Sequence, residues 1–410
     1  MHRAASFVRG AAIACSTVLL TSAASAASDA VDDWPMFRGN SQLNGVASTT
    51  LPQRLELLWK FVTEGREPVT SSAAIVGDSV YVGCENGNLY CLRLANGSLK
   101  WKYATSESAA IKSSPTVVGE SVLFGDELGR MHCIRMSDGS KRWIFDTGTE
   151  IVSSPNPSGD RVVFGSYDGL VYCISLADGS PLWKFTTEAQ VHSTLGISDG
   201  CVVVGGCDGR LRVLKLADGS ELREADVGAQ TASSTALWGD HAYFGTLGNR
   251  VLCIDWKTAR QVWVYENPDR SFPFHSSAAV TSDLVVIGGR DKFVHALDRE
   301  TGVSRWSFRT QGRVDSSPLI VVEDPIDRRL PTSRPAVGES DRKGGSIGLR
   351  DRVFVGSSDG RLYALSLRTG ESVWEYDTGS AISASPAAGR GHLVIGDEDG
   401  TVYCFGRKVR

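Results

Sequence analysis

Apolar and polar positions along this chain fall into short strand-like bursts separated by glycine-bearing breaks. From Ile111 the sequence runs IKSSPTVVGESVLFGDELGRMHCIRMSDGSKRWIFDTG, broken at Gly119-Glu120, Leu128-Gly129 and Asp138-Gly139. The four stretches so defined are too short for helices and rich in β-branched and aromatic residues, which predicts four consecutive antiparallel strands. Elsewhere the second break is written Asn86-Gly87, Asp168-Gly169, Asp208-Gly209, Asp359-Gly360 and Asp399-Gly400. An Asn/Asp-Gly pair predicts a two-residue type I′ hairpin, whose central residues both need positive φ.

The last half of this unit recurs. LYCLRLANGSLKW (89–101), MHCIRMSDGSKRW (131–143), VYCISLADGSPLW (171–183), LRVLKLADGSELR (211–223), VLCIDWKTARQVW (251–263), VHALDRETGVSRW (294–306) and LYALSLRTGESVW (362–374) are one phrase, and VYCF at 402 begins it again. Its closing tryptophans are Trp59, Trp101, Trp143, Trp183, Trp263, Trp306 and Trp374, with Arg223 in the remaining slot, spaced by 40 to 43 residues except for a last step of 68. A four-stranded sheet of about 40 residues cannot bury both faces alone, whereas eight arranged radially bury every face against a neighbour. The expected fold is therefore all-β, an eight-bladed propeller of four-stranded antiparallel blades over residues 57–406. Naming strands A to D outward from the axis, Trp59 lies on a D strand with no A to C before it, and Ser383 to Phe405 supply A to C with no D after them. Pairing the two closes the ring and removes the open sheet edges.

Composition narrows the class. Of 410 residues 41% are hydrophobic and 8% aromatic, ample for a core, and 44 glycines suit many turns. The formal charge is -4, and it becomes -6 once Arg3 and Arg9 are removed with residues 1–26. Such a balance gives nucleic acid no electrostatic attraction. Residues 1–26 read as a cleavable secretory signal, with His2, Arg3 and Arg9 before a short apolar stretch and Ala24-Ser25-Ala26 at the expected cleavage site. Residues 27–56 form a lead-in, and the mature chain is expected to be an exported, periplasmic or envelope protein and a monomer. A lipid anchor would require Cys15 as the first mature residue, but little apolar sequence precedes it and VLL follows. No later stretch reaches the ~20 apolar residues of a membrane helix.

Polar and reactive residues are few enough to weigh singly. Cys91, Cys133, Cys173, Cys253 and Cys404 share one strand C position, where Val213, Ala296 and Ala364 stand in other blades. Equivalent positions in adjacent blades are ~10 Å apart, beyond disulfide reach, so free buried thiols are expected. On the same grounds a turn at Asn86-Gly87 sets Cys84 opposite Leu89 rather than Cys91. His192 and His275 occupy the position just before strand A, held elsewhere by Thr70, Lys112, Val152, Ala232, Asp315 and Ser383. These residues should ring one channel mouth, either as a binding funnel (Thr70, Lys112, His192, His275, Asp315) or as an ordinary solvated rim. His132 and His295 share a strand C slot with Tyr90, Tyr172, Tyr363 and Tyr403 and read as packing residues. No metal-ligand spacing occurs, and Asp397-Glu-Asp399-Gly400 lacks the further ligands of a calcium loop. The long last step holds residues 323–350, EDPIDRRLPTSRPAVGESDRKGGSIGLR, expected as a surface loop between strands A and B, on the face opposite the histidine ring.

The stretch Ala296-Leu-Asp298-Arg-Glu-Thr301-Gly302-Val-Ser-Arg-Trp306 resembles the tryptophan-docking motif of the pyrroloquinoline-quinone (PQQ) propeller family, Ala-x-Asp-x-x-Thr-Gly-x-x-x-Trp, at every defined position. Ala364 to Trp374 matches except for Ser366, and Trp34-Pro-Met-Phe-Arg38-Gly resembles the family's opening segment. The resemblance covers roughly residues 32 to 406 and implies that each indole docks its blade on the next. Family members divide into quinoprotein dehydrogenases and non-catalytic propellers such as the outer-membrane assembly factor BamB. The dehydrogenases resembling methanol dehydrogenase carry adjacent cysteines and a calcium held by Glu, Asn and Asp. Here no two cysteines adjoin, no Cys-x-x-Cys-His haem site exists, and no catalytic residue maps. The resemblance therefore implies a BamB-like scaffold that binds other envelope proteins without cofactor. A PQQ- and calcium-dependent dehydrogenase and an envelope small-molecule or glycan sensor are the alternatives.

Overall fold

The computed structural model describes residues 32–323 and 350–408. The signal-peptide reading of residues 1–26, Cys15 and most of the 323–350 insertion lie outside them. Within the described residues the strands form eight antiparallel blades. Blade 1 comprises Ala74–Val76, Ser79–Gly83, Asn88–Arg93 and Leu99–Ala104. Blades 2 to 7 repeat it over 116–146, 156–186, 196–226, 236–266, 279–309 and 319–377. Blade 8 is Ala387–Gly389, His392–Gly396 and Thr401–Gly406, completed by Glu56–Val62 from the other end of the chain. Trp59 lies opposite Cys404 there, which is the expected closure.

Strands A of adjacent blades approach one another around the axis. Strands A to C are mostly buried, while each D strand alternates exposed and half-buried positions at the rim. The B-to-C turns differ from expectation. Gly87 N donates to Cys84 O at 3.1 Å and Gly169 N to Ser166 O at 3.2 Å, with φ of 77° and 81° at these glycines only. Asn86 and Asp168 keep negative φ, so each hairpin has three loop residues, a type I turn followed by a left-handed glycine, instead of type I′. Asp168 stays on the ordinary side because its carboxylate caps the loop, accepting from Leu170 N at 2.9 Å. The longer turn also moves the register by one: Leu89 faces Gly83, and Cys84 N donates to Asn88 O at 3.0 Å. All eight described cysteines are free. Cys91, Cys133, Cys173, Cys253 and Cys404 each sit opposite a docking tryptophan. That indole is what demands a small residue there.

Blade docking follows one geometry. The indole Nε1 of Trp59 donates to Leu94 O at 2.8 Å, and Trp101, Trp143, Trp183, Trp263 and Trp306 donate to Met136, Leu176, Leu216, Arg299 and Leu367 O at 2.9 to 3.2 Å. Each ring lies flat on the glycine of the next blade's C-to-D turn. A Cβ on Gly97, Gly139, Gly179, Gly219, Gly302 or Gly370 would fall 2.5 to 2.7 Å from the indole. Trp374 departs from this pattern, because the chain opens where its acceptor turn would be. It packs edge-on to Phe405, with ring centroids 5.3 Å apart.

The Arg223 slot is packed differently. Arg223 is exposed, and the corresponding turn residue of blade 5 is Ala259 rather than glycine, at φ 58°. A Cβ is tolerated where no indole covers it. Trp256, buried from blade 5, joins Val213, Leu237 and Phe244 in the core between blades 4 and 5, and its Nε1 donates to Gly239 O at 3.1 Å. The indole has moved from one side of this interface to the other, so the junction of blades 4 and 5 keeps a buried tryptophan although the repeat position holds Arg223.

The lead-in is more structured than the sequence indicates. Trp34 exchanges two 2.8 Å hydrogen bonds with Ile75 of blade 1, and Pro35 O accepts from Val117 N of blade 2 at 2.7 Å. Ser41 O accepts from Asn156 Nδ2 of blade 3 at 2.9 Å and from Ile197 N of blade 4 at 2.8 Å. Gln42, Asn44 and Gly45 O accept from Leu237, Val280 and Ile320 N of blades 5, 6 and 7 at 2.8 to 2.9 Å. Val46–Ala47 then adds a parallel fifth strand to blade 7. Asp32 O and Thr49 Oγ1 take Arg390 and Gly391 N of blade 8, each at 2.8 Å. The segment thus bonds the innermost strands of blades 1 to 7 and the A-to-B turn of blade 8, and closes the channel on the A-to-B side. The long insertion leaves from that same side, between Leu319–Val321 and Arg352–Gly356.

Candidate functional site

The other end of the channel lies where the A strands begin. Its wall is built by the Ser-Ser dipeptides that open strand A. Ser72, Ser114, Ser154, Thr194, Ser234, Ser277 and Ser317 each donate a backbone N–H to the next blade's hydroxyl, ending at Ser385, at 2.9 to 3.0 Å. This girdle fixes the residue before each dipeptide at the rim. Thr70, Lys112, Val152, His192, Ala232, His275, Asp315 and Ser383 are accordingly all half-buried. The lead-in bonds strand A about five residues further on, which places the floor ~16 Å below the rim.

Four of the five polar rim positions singled out by sequence are hydrogen-bonded or ion-paired to neighbours. Thr70 Oγ1 donates to Glu85 Oε1 at 2.9 Å, and Lys112 Nζ pairs with Glu150 at 2.9 Å. His192 Nδ1 is 2.6 Å from the Tyr167 hydroxyl. Asp315 receives Arg290 Nε and Nη2 at 2.8 and 3.1 Å and Arg313 Nε at 3.1 Å. His275 lies in the field of Arg290, Asp315, His192 and Arg313. Burial, followed for His275 by the Arg290 guanidinium, holds both imidazoles below their ordinary range, so both are neutral at pH 7. Charge is unevenly spread around the ring. Glu85, Glu127 and Glu150 cluster on blades 1 and 2, whereas Arg290 and Arg313 belong to blades 6 and 7, across an eightfold ring from them. The rim is therefore dipolar, an asymmetry carried by the B-to-C and D-to-A turns that the strand A position alone did not reveal.

His132 and His295 are buried inside the blades, as their slot implied. His132 Nε2 is 2.8 Å from Asp126 and its Nδ1 3.2 Å from Tyr103, with Phe124 stacked at 4.8 Å. His295 repeats this with Asp291 at 2.9 Å and Tyr265 at 3.2 Å. Tyr172 and Tyr363 in the same slot reach Asp168 and Asp359 at 2.6 and 2.9 Å. These pairs tie strand C to its turn. Asp397 has the same task, accepting from Asp399 N, Thr401 N and the Tyr403 hydroxyl at 2.8 to 3.1 Å.

Reactive chemistry finds little footing. Burial pushes the Cys84, Cys201 and Cys207 thiols up, and lifts Cys91 to about 11 and Cys253 to about 12, so none supplies a thiolate at neutral pH. Among the described residues no three His, Cys, Asp or Glu side chains converge as metal ligands.

Two family profiles match the chain. One, described as outer membrane protein assembly factor BamB, matches residues 44–185 and 137–271. The other, described as the glucose/ethanol/alcohol dehydrogenase β-propeller domain, matches 209–393. Quinohemoprotein alcohol dehydrogenase ADH IIB of Pseudomonas putida is 36% identical over 98 residues, 22% of this chain and 14% of that protein. The dehydrogenase subunit of a quinone-dependent alcohol dehydrogenase of Gluconobacter oxydans is 26% identical over 179 residues, 38% and 24% of the two. The chain thus spans less than a quarter of the length of these relatives. Among solved structures, BamB from Moraxella catarrhalis superposes with a TM-score of 0.66 at 18% identity, covering 87% of this chain and 99% of that one. Quinohemoprotein alcohol dehydrogenase ADHIIG of Pseudomonas putida HK5 gives 0.71 at 13% identity, covering 94% and 82%. At these identities the structural likenesses speak for the fold alone.

Proposed function

The chain belongs to the PQQ-type β-propeller family, and from that premise we propose that it is a non-catalytic, protein-binding scaffold of the cell envelope, comparable to BamB in outer-membrane protein assembly. The observation carrying this reading is the state of the rim. Glu150 and Asp315 are ion-paired with Lys112, Arg290 and Arg313, Glu85 and Glu127 accept from the Thr70 hydroxyl and the Ala110 N–H, and among the described residues no metal-ligand cluster accompanies them. A reaction centre needs an unmatched, perturbed group aimed at substrate, whereas a dipolar and internally satisfied rim suits recognition of a partner of complementary charge pattern. The partner is expected to be another envelope protein, reached after export through the signal at residues 1–26. No helix among the described residues is long and apolar enough to cross a membrane.

A dehydrogenase is the second reading, favoured by the matches to quinone-dependent alcohol dehydrogenases. Incubating the purified protein with PQQ and calcium, then desalting, separates the two. The scaffold reading expects no quinone absorbance to co-elute and no dye reduction with alcohols or sugars. Stoichiometric retention with substrate-dependent dye reduction overturns it. A small-molecule or glycan sensor using this channel mouth would show neither, and would instead retain a ligand whose binding is weakened by substitutions at His192 and His275.

A further inference from the structure

The floor of the channel carries a charge that nothing nearby balances. Arg38 is 1% exposed, and its Nη2 donates to Ala278 O at 2.9 Å. Its Nε has no partner. Burial draws the guanidinium down to about 9, and no carboxylate of a described residue offsets this. It remains protonated at neutral pH.

Asn44 precedes Gly45, the residue against which the guanidinium lies. Its Oδ1 accepts from Asn40 Nδ2 at 2.8 Å and from Val46 N at 3.3 Å, which fixes the amide and leaves the buried Nδ2 as a donor without a partner. Gly45 N donates to Arg38 O at 3.1 Å, closing the loop that holds both residues. A Cβ on Gly45 would stand 1.9 Å from Arg38 Nη2 and 3.1 Å from Nε. The guanidinium therefore lies flat against the backbone next to Asn44. Trp34 Nε1, on the same segment, is also buried without a partner. Every one of these unmatched groups is an N–H donor, and the unmatched charge is positive. Buried donors and buried charge persist in native structures when something satisfies them, and donors accompanying an unmatched positive charge call for an anion.

We propose that the floor binds a small monovalent anion, chloride or a formate-sized carboxylate, held by Arg38 Nε and Asn44 Nδ2. The bound anion neutralises the guanidinium and locks the lead-in against the innermost strands. Binding to the native state alone raises stability by mass action, which gives the test.

The full mature chain is melted by calorimetry while gluconate is exchanged for chloride, and separately for formate, at constant ionic strength. The expected result is a saturable rise in Tm with at least one of the two anions. Asn44→Asp supplies a carboxylate in place of the anion, so its Tm should be independent of both and should exceed that of the wild type in gluconate. Arg38→Met, which removes the charge, should also lose the dependence. Should Asn44→Asp not fold, Arg38→Met decides alone. Response to formate only assigns a carboxylate, and response to both assigns a spherical or planar anion without preference. A wild-type Tm that does not respond, as expected if water fills the spot, or a saturable response that survives in Arg38→Met, overturns the proposal.

Discussion

Trp306→Ala should lower the stability of the propeller by about 3 kcal/mol, the lower end of the range for truncating a core tryptophan because this indole is half-buried. The change removes the Nε1 bond to Leu367 O and uncovers Gly370, the flat surface on which the ring rests. It also opens the interface where Trp306 packs against the core shared by blades 6 and 7. Equilibrium unfolding in urea reads the effect as a lower midpoint. Substitutions between residues 324 and 349, where the sequence predicts a surface loop, should change the unfolding free energy by less than about 0.5 kcal/mol. Trp256→Ala should be at least as costly as Trp306→Ala, since Trp256 is buried and fills the interface that Arg223 leaves unfilled. Arg223→Ala should be nearly silent. Equal effects at Trp306 and in the insertion would contradict the docking geometry, and a silent Trp256→Ala would contradict the exchange of indoles between blades 4 and 5.

Deleting residues 32–62 should be the most damaging change of all. It removes Glu56–Val62, the outer strand of blade 8, together with the floor bonded to strand A of blades 1 to 7 and to the A-to-B turn of blade 8. Thr401–Gly406 would then expose an unpaired edge, which invites pairing with other chains. The native contact joins Trp59 to Cys404, more than 300 residues apart in sequence, but loop-closure entropy grows only as the logarithm of length. A chain beginning at Asp32 keeps Asp32 O on Arg390 N and the Asp33–Arg390 ion pair at 2.6 Å. It should elute as the wild type does on size exclusion. The shorter chain should aggregate; if it stayed soluble and cooperatively folded, the closure described here would be wrong.

Much of this architecture could be read from residues because the repeat is a packing instruction. Trp, the small residue opposite it and the glycine under it recur together because each constrains the others' volume. That is why eight blades and their closure follow from the spacing of Trp59 to Trp374. Trp256 escaped notice because one tryptophan outside the repeat position carries no periodic signal. Its meaning lies in Ala259, where a glycine was lost along with the indole it served. The turn type was missed because Asn-Gly and Asp-Gly serve both a two-residue loop and a three-residue loop with one left-handed glycine. The rim positions came out in one ring, since a constant offset from the Ser-Ser dipeptide fixes them. Their partners did not, because Glu85, Glu150, Tyr167, Arg290 and Arg313 sit in turns whose sequences do not repeat. Arg38 and Asn44 were least legible: in sequence they belong to a short polar stretch, and only the closed loop around Gly45 shows that they are buried.

The central claim, that the dipolar rim is a protein-recognition surface, is tested most directly by site-specific photocrosslinking in intact cells. A photoreactive residue is placed at Ala232 or Val152 on the rim, or at exposed Glu120 on the A-to-B side. The account predicts a discrete adduct with an outer-membrane assembly protein from both rim positions and none from Glu120. No adduct from the rim, or the same adducts from Glu120, would contradict it.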